Sequence, residues 1–126
     1  MKILEQCFRV YATSDRLEPT IAFYEQLQGT TCARRVRIAE SGVVAARVGK
    51  FLILAGQGEV MANARQVDGI LYVDDLDVYA GWLRDQGGEL LHESRTVTGG
   101  RNFTARHPDG LVIEYFEARV VADTAD

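Results

Sequence analysis

The strongest constraint in this 126-residue chain is that its second half repeats its first. Leu17, Phe23 and Gly29 return 59 residues later as Leu76, Trp82 and Gly88, and Ala46-Arg47 returns at the same interval as Ala105-Arg106. A unit of about 60 residues holds one helix and a few strands, too little to cover both faces of its own sheet, so two copies must pack on one another. The expectation is a single domain over residues 1–126 built from two repeats, about 4–60 and 66–118.

Each repeat reads in the same order. Gln6 to Ala12 alternates as a strand does, with Phe8, Val10 and Ala12 on one face and Cys7, Arg9 and Tyr11 on the other. Ser14 and Asp15 offer cap-type side chains and Pro19 suits a first helical turn. Ile21, Tyr24 and Leu27 then follow helical spacing, Phe23 widens the apolar face, and Gly29 stands where a left-handed cap ends a helix. Thr31–Ile38, Gly42–Val48 and Phe51–Ala55 read as three strands joined by short turns, and residues 56–65 read as a connector. In the second copy, Gly69–Val73 is a strand, Asp74-Asp75 precede a helix carrying Leu76, Tyr79, Trp82 and Leu83, and Gly87-Gly88 end it. Three further strands are expected over Glu89–Arg95, Arg101–Arg106 and Leu111–Glu117, the last entered through the turn His107-Pro108-Asp109-Gly110. The aromatic side chains Phe23, Tyr24 and Trp82 sit at core spacing and read as packing, and Val120–Asp126 reads as a frayed tail.

Fourteen Lys and Arg against 18 Asp and Glu give a net charge of -4, which argues against a broad nucleic-acid-binding field and suggests a cationic or polar aromatic ligand. Cys7 and Cys32 match neither a disulfide framework nor a zinc spacing and read as reduced cytoplasmic thiols. The start has no apolar run of signal-peptide length, and no segment reaches the ~20 apolar residues of a membrane span. Gly87-Gly88 and Gly99-Gly100 neither follow a strand nor open a helix, so phosphate-loop readings fail and no cofactor is called for. The expected setting is cytoplasmic, without nucleic acid or membrane as partner.

Phe23-Tyr24 followed by Gly29, and His107-Pro108-Asp109-Gly110 leading into Ile113-Glu114, resemble the vicinal oxygen chelate superfamily of glyoxalase I, extradiol dioxygenases, methylmalonyl-CoA epimerase, fosfomycin resistance enzymes and bleomycin resistance proteins. The resemblance spans about Leu4 to Ala118. It implies an α+β fold of two βαβββ units whose eight-stranded mixed sheet curls into a cup, and a homodimer. It also implies four positions converging in the cup, which metal-dependent members use as ligands. Counted from Asp15 and Gly110, these fall on Phe8, Leu54, Asp68 and Glu114, or on Cys7 or Arg9 and Val67 or Gly69 if the register slips by one. Two carboxylates and no imidazole make a poor donor set, so no metal is expected. Gln66 could add an amide oxygen.

The resulting expectation is metal-independent binding of a small molecule, resembling drug or metabolite sequestration of the bleomycin-resistance type and so antibiotic resistance. Phe8, Val10, Phe51, Leu54 and Phe103 would form apolar walls, with Asp68 and Glu114 as polar anchors. Glu114 reads either as a catalytic base or surviving ligand, or as the partner of a nearby Arg. The competing reading is a metal-dependent lyase, isomerase or dioxygenase using Glu114 and Asp68. His107 reads as a turn residue and His92 as surface or packing. In Arg34-Arg35-Val36-Arg37, Arg35 and Arg37 share one face and Arg34 takes the other. One of those faces could hold an anion at the cup's mouth, against the alternative of a solvated edge.

Overall fold

A computed structural model describes residues 1–119 of the chain. The tail expected at Val120–Asp126 lies outside the described residues. Strand β1 (Ile3–Ala12) leads through a single 3₁₀ turn (Ser14–Arg16) into α1 (Leu17–Gln28), followed by β2 (Arg34–Arg37), β3 (Val44–Val48) and β4 (Phe51–Ala55). After α2 (Glu59–Ala64), the second copy runs β5 (Gly69–Val73), α3 (Leu76–Asp85), β6 (Glu89–Leu90), β7 (Arg95–Val97), β8 (Gly100–Arg106) and β9 (Val112–Ala118). The two long helices start 59 residues apart, as the repeat requires. Gly29 closes α1 at φ 64 and ψ 38, the left-handed conformation that only glycine adopts without strain. Asp75 caps α3 by accepting the Val78 N–H at 3.2 Å, whereas Ser14 and Asp15 make no such cap on α1.

The strands form one mixed sheet in the order β2-β3-β4-β1-β5-β9-β8-β6, with β7 also on β8. The copies meet antiparallel at β1 and β5, while β1–β4 and β5–β9 are parallel. That makes nine strands rather than eight among the described residues, because the expected Glu89–Arg95 strand breaks into β6 and β7 and leaves Leu91–Ser94 between them. The presumed connector after β4 contains α2, whose Met61 is buried at 4% exposure against Val43, Leu52, Leu54 and Ile70. Six helical residues amid polar ones carry too short an apolar period to stand out in the sequence.

Two apolar layers back the sheet on its helix side. Ile21 of α1 lies on Ala46, Val48 and Ile53, and α3 places Leu76, Tyr79 and Leu83 on Phe103, Ala105, Ile113 and Tyr115. The repeated alanines Ala46 and Ala105 are both fully buried, the small side chains that let each helix settle on its sheet. Phe23 and Trp82, expected as packing, are instead 60% and 46% exposed, because the sheet-facing stripe is already filled by Leu17, Ile21 and Tyr24 on α1 and by Leu76, Tyr79, Ala80 and Leu83 on α3. The opposite face of the sheet curls into an open cup. Its rims are bridged by side chains: Glu40, beyond β2, accepts the Thr98 N–H at 2.8 Å and the Thr98 hydroxyl at 2.7 Å, tying the first repeat to the second.

Candidate ligand pocket

The cup encloses about 610 Å³, within the size range of small-molecule sites. Strand parity decides what lines it. On β1 the odd residues face the cup and the even ones face the helices, so Arg9 is on the pocket wall while Phe8 is 64% exposed and stacks on Phe51 at 5.5 Å. Phe51 in turn meets Tyr24 of α1 at 4.4 Å, Val10 packs in the layer under α1, and Phe103 is fully buried against Tyr115 under α3. Four of the expected wall residues, Phe8, Val10, Phe51 and Phe103, therefore belong to the other side of the sheet. A one-residue shift in register moves a whole strand's side chains to the opposite face. Leu54 and Glu114 do line the pocket, beside apolar Val36, Leu52, Ile70, Tyr72 and Phe116.

Asp68 stands at the exposed edge of the site, just before β5, where its carboxylate accepts the Val112 N–H at 3.0 Å and its carbonyl accepts the Arg9 N–H at 3.4 Å. It ties β5 to β9 and is not among the residues lining the pocket. Arg9, rather than Phe8, thus holds the first-strand place next to Asp68. Its Nη1 lies 3.3 Å from Glu114 Oε1, with the two side chains only 9% and 13% exposed. Asn102 donates its amide N–H to Glu114 Oε2 at 2.9 Å, so both carboxylate oxygens are occupied. Two buried polar atoms in this group have no partner among the described residues, Arg9 Nε and Asn102 Oδ1.

One side of the pocket is closed by α2 and the chain that follows it. The Tyr11 hydroxyl lies 2.6 Å from the carbonyls of both Ala64 and Val67, sharing its single proton between them. Burial pushes the Tyr11 phenol up, and the guanidiniums of Arg9 and Arg65 lie 5.4 and 5.5 Å from its ring. Gln66 is on the wall but has only its amide to offer. On the far wall is His92, read from the sequence as surface or packing. Its Nδ1 is 2.8 Å from the Glu93 carbonyl and its Nε2 is 3.3 Å from the Thr104 hydroxyl, so both nitrogens are engaged. The other histidine, His107, starts the turn into β9 and meets the Tyr115 hydroxyl at 2.6 Å on the helix side.

The donors present do not fit a resident metal ion. The four convergent places hold Arg9, Leu54, Asp68 and Glu114, in which a fixed guanidinium replaces a ligand and the two carboxylates are already hydrogen-bonded. Among the described residues no group of three His, Cys, Asp or Glu side chains is close enough to hold one. The pocket's charge also departs from expectation. Among the described residues Arg9, Arg34, Arg47 and Arg95 line it against a single carboxylate, Glu114, so within a chain of net charge -4 the described lining is cationic. The sign of this lining differs from that of the whole chain, since net charge says nothing about how the charges are placed.

No protein-family model matches the chain, and no curated protein sequence matches it. Solved structures do. An uncharacterised protein from Methanosarcina mazei is 36% identical over 99% of this chain and 100% of that one, with a TM-score of 0.87. Methylmalonyl-CoA epimerase from Mycobacterium tuberculosis is 20% identical, covering 94% of this chain and 90% of that one at a TM-score of 0.71. A Streptomyces coelicolor methylmalonyl-CoA epimerase variant in complex with 2-nitronate-propionyl-CoA is 19% identical over 97% of this chain and 99% of that one, at a TM-score of 0.69. At such identities the epimerases speak for the fold alone. Together with the paired βαβββ topology they place the chain in the vicinal oxygen chelate fold of the glyoxalase and bleomycin-resistance superfamily, in one family with the Methanosarcina mazei protein.

Proposed function

We propose that this protein binds a small molecule in its cup without a metal ion, in the manner of drug or metabolite sequestration. The observation that carries this reading is the group Arg9–Glu114–Asn102 at the heart of an apolar pocket. Mostly apolar walls with a few oriented polar groups are what small-molecule recognition needs. Arg9 already supplies the positive charge that balances Glu114, a service a cation would otherwise perform. The alternative, a metal-dependent lyase, isomerase or dioxygenase using Glu114 and Asp68, would need Asp68 to give up its bond to the Val112 N–H and turn toward the pocket. The epimerase activity in the names of the structural neighbours would need a free base, and both oxygens of Glu114 are committed.

The reading includes a cytoplasmic homodimer. Both cysteines are free, and among the described residues no helix is long and apolar enough to cross a membrane. Phe8, Phe23 and Leu27 are at least 60% exposed on the helix side, more apolar surface than α1 and β1 need for their own packing. Light scattering at micromolar concentration tests the dimer. For binding, the assay is fluorescence of the neutral dye Nile red with the wild type and with Leu54→Arg, which puts a charge into the apolar wall. Saturable dye binding that Leu54→Arg abolishes while the fold survives by circular dichroism is the expected result; equal dye binding by both would place the dye elsewhere and contradict the reading.

A further inference from the structure

Building on the cup as a ligand pocket, we propose that its ligand is an amphipathic oxyanion, an apolar body ending in a carboxylate or phosphate ester that sits at the mouth between Arg34 and Arg47. The two arginines are direct cross-strand partners on β2 and β3, and both line the pocket. Like charges placed opposite one another in a sheet are destabilising, so the arrangement asks for a negative group between them. The described residues supply too little. Glu5 Oε1 is shared between Arg47 at 3.1 Å and Lys50 at 3.2 Å, and Arg34 has no carboxylate within 4 Å among the described residues.

The solvated-edge explanation of the basic run suits the other face of β2. There Arg35 is paired with Glu18 of α1 through two bonds, and Arg37 points the same way. Arg34 and Val36 face the cup. Several features prepare the mouth for an anion with an apolar tail. The Arg47 guanidinium lies over the Tyr72 ring at 5.0 Å, which holds its planar fork in place, and burial pushes the Tyr72 phenol up to about 12, so the ring stays uncharged beneath it. Two guanidinium forks match the paired oxygens of a carboxylate or phosphate better than a point charge does. Behind them Leu52, Leu54, Ile70 and Phe116 offer apolar wall, and a second cleft runs on past Arg34 and Arg47 to Lys50, with Glu5 between the latter two. Deeper in the cup, the unpartnered Arg9 Nε and Asn102 Oδ1 are a donor and an acceptor that a polar substituent on the ligand body would satisfy.

The test is competition against Nile red, confirmed by calorimetry, with three probes sharing one ring system: 2-naphthylacetate, 2-naphthyl phosphate and the neutral 2-naphthylacetamide. At low salt one or both oxyanions are expected to bind about tenfold tighter than the amide, and which of the two leads identifies the anion. That preference is expected to fall to about threefold or less in Arg34→Gln and to persist in Arg34→Lys. Arg34 is exposed, so its loss leaves the fold intact. If the amide competes as well as the acids, or Arg34→Gln keeps the full preference, the oxyanion proposal is overturned and the pocket reading survives. If the wild type takes up neither Nile red nor any probe, the pocket reading itself fails and the proposal with it.

Discussion

Removing Arg9 strands a nearly buried carboxylate, and the cost can be worked from the geometry. Two unit charges 3.3 Å apart attract by about 5 kcal/mol at an effective dielectric constant of about 20. Much of that offsets the desolvation of side chains only 9% and 13% exposed, and the separation exceeds the ~2.8 Å of an ideal charged hydrogen bond. Glu114 keeps its bond from Asn102 and lines the open cup, so Arg9→Met should destabilise by about 2–3 kcal/mol. For a chain of 126 residues that is a fall in Tm of about 6–15 °C. Glu114→Leu alone should cost about as much, by leaving the guanidinium unpaired, while the double variant should recover to within about 1 kcal/mol of wild type. Urea denaturation of all four proteins gives the coupling energy. A single variant within about 0.5 kcal/mol of wild type, or strictly additive losses, would refute the idea that the two charges compensate one another.

Other predictions concern the frame around the pocket. A Cβ at Gly100 would lie 2.2 Å from the Glu117 carbonyl oxygen and 3.0 Å from the Arg119 nitrogen, so Gly100→Ala should lose stability at the upper end of about 1–3 kcal/mol, read by urea midpoint. Hydrogen bonds from the Thr98 side chain and backbone hold the Glu40 carboxyl below its usual 4.5. Because the shift is downward, the clasp's contribution is fully present above pH 4.5 and is lost as pH falls below it; wild type should therefore lose more stability across that acid window than Glu40→Gln, which keeps only the share of the other lowered carboxylates such as Glu5 and Glu18. Burial pushes the Cys7 thiol up, and its Sγ rests 3.7 Å from the Gly49 carbonyl, so an alkylating reagent should label Cys32 well before Cys7 in the native protein, with mass spectrometry locating the adduct.

What could be read from the residues depended on how one-sided each element is. The helices and the 59-residue repeat were legible because α1 and α3 each bury one stripe and end at glycine, and because the pair Ala46 and Ala105 answers the same demand for close helix–sheet contact. The strand at Gln6–Ala12 was legible too, but which face of β1 meets the cup was not, since helices cover one of its faces and the cup the other. Phe8, Val10 and Ala12 look no more like a pocket wall than Cys7 and Tyr11 do, and counting back from Asp15 across the turn at Ser14–Arg16 put the register one residue off. Arg9 could have been found from its own strand: a charged residue in the middle of a two-sided strand needs a partner, and Glu114 was already placed in the cup. Nothing local distinguishes Arg34 from Arg35, because which of the two faces the cup depends on how β2 pairs with β3.

On the proposed reading, the cup holds its ligand without a metal ion. That reading is tested most directly by titrating the tightest of the naphthyl probes into protein stripped with EDTA, and again after dialysis against zinc, nickel, manganese or iron(II), with elemental analysis of each sample. The expected result is the same affinity throughout, with no more than about twofold variation, and no metal retained near one equivalent. A stoichiometric metal that raises Tm and is required for the probe to bind would contradict it.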